Sequence, residues 1–265
     1  MMSDSHLEID EVIKFIHKHI FDPLSLSRLA KHVAYSPYHF SRIFKERMGL
    51  SPLYYVSSLR LQKAKDLLLQ SDLSVRDIAL EIGQQSLGTF TTRFTERVGM
   101  SPSQFRNSTL QASNHFSLLQ KLNTWTPENL ISSPYGRVEG TVHVVKPFAG
   151  VILIGLFPKP IPEGQPLYGT LLSSLGYFCF ADVNPGTYYL MATSISWNMK
   201  ALDFLLPQAT LRTRSRDPIV VKARMSVPYQ QVTLYPPRLD DPPILISLPL
   251  LMQNFLSRIS TNLNS

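Results

Sequence analysis

The chain has 265 residues, 44% of them hydrophobic, which is long enough for two hydrophobic cores. Lysine and arginine outnumber aspartate and glutamate by 26 to 19, a net charge of +7 that suits a polyanionic partner without defining one. A lone cysteine, Cys179, excludes an intramolecular disulfide framework, the start MMSDSHLEIDEV lacks an apolar signal core, and the longest apolar run, Ile244 to Leu251, is too short for a bilayer and broken by Pro249, so a cytoplasmic protein without a membrane partner is expected.

Ile9, Val12, Ile13, Ile16 and Ile20 recur at helical spacing and predict an amphipathic helix over residues 8–20, ended by Pro23. Ser25 caps a second helix whose stripe is Leu26, Leu29, Ala30 and Val33. After an Ala34-Tyr35 turn, Ser36-Pro37 pairs a capping hydroxyl with a proline at the first helical position. In the helix that follows, Phe40, Ile43 and Phe44 share the core side. Tyr38, Arg42 and Lys45 lie opposite, with Ser41 and His39 at the edges. A guanidinium fork, an ammonium, a hydroxyl and an aromatic edge are suited to base edges and phosphates in a major groove.

Gly49 stops this helix and Ser51-Pro52 opens another that runs to about Gln70, with Leu59, Ala64, Leu67 and Leu68 inward and Arg60, Lys63 and Lys65 on the polar side. Its length of roughly 27 Å would hold two reading heads about one turn of B-DNA apart. Ser74 caps the next helix, with Asp77 in its first turn and Val75, Ile78, Ala79 and Ile82 as its stripe, and Gly83 ends it. A further helix from about Ser86 buries Phe90, Phe94 and Val98 and presents Gly88, Thr89 and Thr92 outward, flanked by Arg93.

These elements are a duplication. Leu24, Ala30 and Val33 return 49 positions on as Leu73, Ala79 and Ile82, while Phe40, Phe44, Gly49 and Ser51-Pro52 return 50 positions on as Phe90, Phe94, Gly99 and Ser101-Pro102. The repeated unit has the size of two helices and a sharp turn. Taken singly, paired phenylalanines are core spacers and a charged helix face is solvated surface. Rebuilding the same turn, stripe and stop twice is what points to a reading device. His17, His19, His32 and His39 lack metal-ligand spacing, and no metal or cofactor is expected.

Through LSLSRLAKHVAYSPYHFSRIFKERMGLSP, RLQKAKDLL and DIALEIGQQSLGTFTTRFTERVGMSPSQFR, residues 8–107 resemble the AraC/XylS family of bacterial transcription regulators. The resemblance implies seven helices in two helix-turn-helix subdomains joined by a linker helix, with both recognition helices in successive major-groove segments. It carries the first reading set to Tyr38, Ser41, Arg42 and Lys45 and the second to Leu87, Gly88, Thr89 and Thr92. Phosphate contacts are expected from Arg60, Lys63 and Arg106, and Arg93 flanks the second set as a further DNA-binding residue. The partners so implied are double-stranded promoter or operator DNA, RNA polymerase and a small-molecule effector, for a monomer or homodimer. Two positions depart from the family: Gln84 replaces an aromatic after the second-turn glycine, and Thr92 replaces a frequent arginine. Threonine cannot make the bidentate guanine contact, so the first helix is expected to carry more of the sequence preference.

Residues 110–133 read as a linker with a short helix. Beyond Pro134, where most of the 20 prolines lie, candidate strands fall at 140–145, 151–157, 176–183, 187–196, 219–221 and 231–235, which suggests an antiparallel sandwich. The expected architecture is an all-α double helix-turn-helix DNA-binding domain at 1–109 followed by an antiparallel β-sandwich-like domain at 134–265 that binds an effector or oligomerises. The segment GYFCFADVNPGTYYL resembles carboxypeptidase-regulatory or transthyretin-like sandwiches, which implies a fold and no activity. Tyr188 and Trp197 could line a small-molecule pocket and Arg212 and Arg214, with Arg216, an anion site, against the plainer readings of core aromatics and a charge-protected strand edge. Leu248, Leu251, Phe255 and Ile259 sit at helical spacing and would close the sandwich or dimerise it. An enzyme is not expected: His143 is the only histidine after residue 134, with no nucleophile elbow, Walker loop or zinc-protease motif. An architectural module tethered by DNA, and a carbohydrate-binding sandwich, are the alternatives.

Overall fold

The computed structural model describes residues 2–122, 136–215 and 217–263, so part of the expected linker and Arg216 lie outside the described residues. The chain forms two compact units: Met1–Arg106 with Arg238–Leu245, and Asn107–Pro237 with Ile246–Ser265.

The first unit contains α1 (Met2–Lys18), α2 (Leu26–His32), α3 (Pro37–Met48), α4 (Pro52–Gln70), α5 (Val75–Glu81), α6 (Leu87–Val98) and α7 (Pro102–Arg106). The caps explain where these helices start. The hydroxyls of Ser25, Ser36, Ser74 and Ser86 accept from the backbone N–H of Arg28, His39, Asp77 and Thr89, satisfying donors that the first turn leaves open. Gly49 and Gly99 stop α3 and α6 in the left-handed region, at φ 73° and 90°.

The duplication extends into the packing. Phe40 and Phe44 lie 5.6 Å apart, as do Phe90 and Phe94. Each pair meets one ring of the following helix edge-on: Phe44 on Tyr55 of α4 at 5.7 Å, and Phe94 on Phe105 of α7 at 5.8 Å. All six rings are fully buried. One expectation for α4 fails: Lys65, read as part of the polar side, is buried with no exposed surface.

The second unit opens with α8 (Thr109–Lys121), which packs against α9 (Ala201–Leu205) and α10 (Leu248–Leu263), with the Phe116 ring 5.0 Å from Phe204. Its strands are β1 (Val138–Val144), β2 (Gly150–Phe157), β3 (Tyr168–Leu172), β4 (Gly176–Phe180), β5 (Gly186–Ser196), β6 (Arg212–Arg214), β7 (Ile219–Val221) and β8 (Gln230–Leu234). They form a sheet of order β4-β1-β8 and a second of order β3-β2-β5-β6, with β7 also on β5. Side chains from both sheets share one core, including Val138, Val142, Ile154, Phe178, Leu190 and Val232.

The sheets are not antiparallel throughout, as expected from the strand spacing. β1 and β8 pair in parallel, Gly140 opposite Gln230 through Val144 opposite Leu234. The physical reason is the connection: β8 reaches β1 only after the whole second sheet has been laid down, and such a long return permits parallel pairing that a hairpin forbids.

Candidate nucleic-acid interface

Helices α3 and α6 occupy equivalent places in the two halves, each following a capped start and buried through its phenylalanine pair. Their other faces are open. On α3, Tyr38 is 83% exposed, Arg42 and Lys45 are exposed and Ser41 is partly so. Arg42 bonds Glu46 Oε1 through Nη1 at 2.8 Å, and its Nη2 lies 3.4 Å from His39 Nδ1, which extends the guanidinium along the helix surface. On α6, Leu87, Gly88, Thr89, Thr92 and Arg93 are all exposed. Here Gln84, the residue that departs from the resemblance, accepts a hydrogen bond from Arg93 at 3.4 Å and so holds the arginine toward the turn.

The predicted phosphate-binding residues separate into two groups. Lys63 is half-exposed and pairs with Asp66 at 3.4 Å. Arg60 instead donates to the carbonyls of Ile20 at 3.0 Å and Asp22 at 2.6 Å, and burial lowers its pKa. Arg106 likewise donates to Leu68 O at 3.2 Å and Leu73 O at 2.5 Å. Both guanidiniums satisfy carbonyls at or just beyond a helix end, which is a scaffolding task.

A further pair was not singled out in the sequence. Arg47 and Arg97 stand 50 positions apart in the last turns of α3 and α6. Arg97 lies 4.5 Å over the Tyr54 ring and donates to Ser57 and Ser58 of α4. Arg47 pairs with Asp10 of α1 at 3.4 Å and Asp240 at 3.6 Å. The duplication was the available signal, but an arginine at a helix end also reads as dipole compensation.

The suggested effector residues of the second unit do not assemble. Tyr188 is 5% exposed in the core and donates to Asn184 O at 2.8 Å. Trp197, nine positions on and just past the end of β5, packs on Phe116 at 5.5 Å, and nine extended residues span about 30 Å. Arg212 is buried and donates to the carbonyls of Pro207, Gln208 and Thr210, while Arg214 pairs with Met191 of β5 in the strand register. Among the described residues there is no cluster of three or more metal-ligating side chains and no helix long and apolar enough to cross a membrane.

Two capped helix pairs, each with one open polar face, define the first unit as a duplicated helix-turn-helix. Residues 29–108 match the helix-turn-helix domain family. Over 96 residues it is 36% identical to the HTH-type transcriptional regulator YobQ of Bacillus subtilis, covering 36% of this chain and 40% of that one. Over 98 residues it is 33% identical to the bifunctional transcriptional activator/DNA repair enzyme AdaA of the same organism, covering 37% and 46%. The chain therefore spans less than half the length of these curated relatives. A solved transcriptional regulator from Chromobacterium violaceum with an AraC-type DNA-binding domain is 28% identical, covering 40% of this chain and 95% of that one, with a TM-score of 0.38.

Proposed function

We propose that the protein is a sequence-specific DNA-binding transcription regulator whose helices α3 and α6 enter successive major-groove segments and whose C-terminal β-rich unit modulates binding. The observation that carries this reading is the repeated geometry of α3 and α6, each buried on its phenylalanine side and open on its polar side. Tyr38, Ser41, Arg42 and Lys45 read the first half-site. Leu87, Gly88, Thr89 and Thr92 meet the second through methyl, backbone and shape contacts. Lys45, Lys63 and Arg93 supply phosphate contacts, and Arg60 and Arg106 act through the helix ends they hold.

Selection of bound duplexes from a random library by the full-length protein tests this. An asymmetric motif spanning about two helical turns is the expected result. Enrichment of nothing would overturn it, and equal binding of random and selected duplexes would favour an architectural module.

A further inference from the structure

The segment Arg238–Leu245 lies more than 130 residues beyond α7 in sequence, yet it is part of the helical unit. It opens with a tight turn in which Asp241 donates its N–H to Arg238 O at 3.1 Å and accepts from Arg238 N at 2.8 Å. Asp240, 8% exposed, then meets Arg47 in the last turn of α3, the arginine that also holds Asp10 of α1. Pro242 and Pro243 follow, both buried. A proline has no N–H, so two in succession carry a buried extended segment without leaving donors unsatisfied.

The next carbonyls do need partners, and α4 supplies one. Lys65 Nζ donates to Ile244 O at 3.1 Å and Leu245 O at 3.3 Å, and lies 5.4 Å over the ring of Phe105 on α7. Phe105 is the ring that supports Phe94 of α6. One short segment thus holds α3 and α1 through Arg47, and holds α4, α7 and indirectly α6 through Lys65. A buried amine is costly compared with an apolar side chain of similar volume, so its presence here argues for fixing a geometry more than for adding stability.

We propose that residues 238–245 are a brace that sets the spacing of the two reading helices, with Lys65 and Asp240 as its positioning residues. The consequence for DNA rests on the regulator reading above. The brace continues directly into Pro237 on one side and Ile246 on the other, so the chain of the second unit joins the reading unit at both ends of the brace as well as after Arg106.

The test compares the full-length wild-type chain with Lys65→Met and Asp240→Asn. Asp240→Asn keeps the shape of its side chain and covers a failure of Lys65→Met to fold. Two readouts are taken: hydrogen exchange of the α4 and α7 amides, and the motif selected from a random duplex library. Both variants should keep the half-site read by α3, tolerate a wider range of half-site spacings, and bind the wild-type motif about tenfold more weakly, the effect of losing roughly one hydrogen bond's worth of preorganisation. Exchange in α7 should rise in parallel. A folded pair of variants with unchanged spacing preference and unchanged exchange would overturn the brace. If the wild-type chain enriches no duplex, the regulator reading fails, and exchange alone decides the brace: faster in the variants upholds it, unchanged overturns it.

Discussion

Phe105 of α7 stands edge-on to Phe94 of α6 at 5.8 Å, repeating 50 positions later the contact of Tyr55 with Phe44 at 5.7 Å. Each recognition helix is therefore seated on one ring of the helix that follows it. Truncating Phe44 or Phe94 removes the ring that rests on that seat. Phe44→Ala and Phe94→Ala should each cost about 3–5 kcal/mol of stability, read as a fall in the urea midpoint of the full chain. A loss below about 1 kcal/mol at either site would show that the pocket closes around the gap.

Most of the reading unit was visible in sequence because its signals are local. Serine caps, the glycines at 49 and 99, and phenylalanines four apart each act within one or two helical turns, and the repeat doubled every signal. The brace was not visible for the opposite reason. Its partner, Lys65, sits 179 residues from Ile244 and occupies a position that looks polar on a helical projection, while Ile244 and Leu245 read as the start of a plain apolar run. The parallel pairing of β1 with β8 was hidden likewise, since strand spacing reports elements and not which of two distant strands become neighbours.

The reading faces differ in chemistry. Arg42 carries a fork that can address a guanine, whereas Thr92 offers one hydroxyl and a methyl group. Arg42→Ala should weaken binding to the selected motif by about 1–3 kcal/mol and relax preference at one or two base pairs, while Thr92→Ala should change affinity much less. Equal losses, measured by fluorescence anisotropy on the same duplex, would remove the proposed asymmetry.

Arginines that hold helix ends and lysines that face solvent should fail differently when removed. Lys45→Ala should lower the slope of log affinity against log salt by about 1 without changing the melting temperature. Arg60→Ala and Arg106→Ala should instead lower the melting temperature, because two carbonyls in each case lose their partner. A salt slope that falls as much for Arg60→Ala as for Lys45→Ala would return Arg60 to the phosphate-binding set.

Burial pulls the Lys65 amine from 10.5 down to about 7, with the charge of Asp66 opposing the shift. The sign of the pH effect follows. Above the ordinary value the amine is neutral folded or unfolded and contributes nothing. As pH falls toward 7 the unfolded chain takes up a proton that the folded chain does not, so stability declines by up to about 1.4 kcal/mol per pH unit. Below pH 7 both states are protonated and the loss is constant. Urea midpoints across pH 7 to 10 should therefore rise more steeply for the wild-type chain than for Lys65→Met. Groups elsewhere titrate equally in both chains and cancel, and parallel curves would show that Lys65 stays charged in the fold.

The two turns that lead to the recognition helices solve the same backbone problem with different residues. Ala34 occupies the left-handed region at φ 54°, and Gly83, 49 positions later, occupies it at 75°. An L-residue there bears a cost of about 1–2 kcal/mol that glycine avoids, offset by the roughly 0.5–1 kcal/mol that glycine loses through greater freedom in the unfolded chain. Ala34→Gly should thus be neutral to stabilising by up to about 1.5 kcal/mol. Gly83→Ala should destabilise by more than backbone strain alone, because the added methyl would stand 3.1 Å from Nη1 of Arg60, whose guanidinium is fixed by the Ile20 and Asp22 carbonyls. Pairing Gly83→Ala with Arg60→Ala separates the two contributions: the double variant should lose less than the sum of the single losses, and strict additivity would show that the turn accommodates the methyl without touching Arg60.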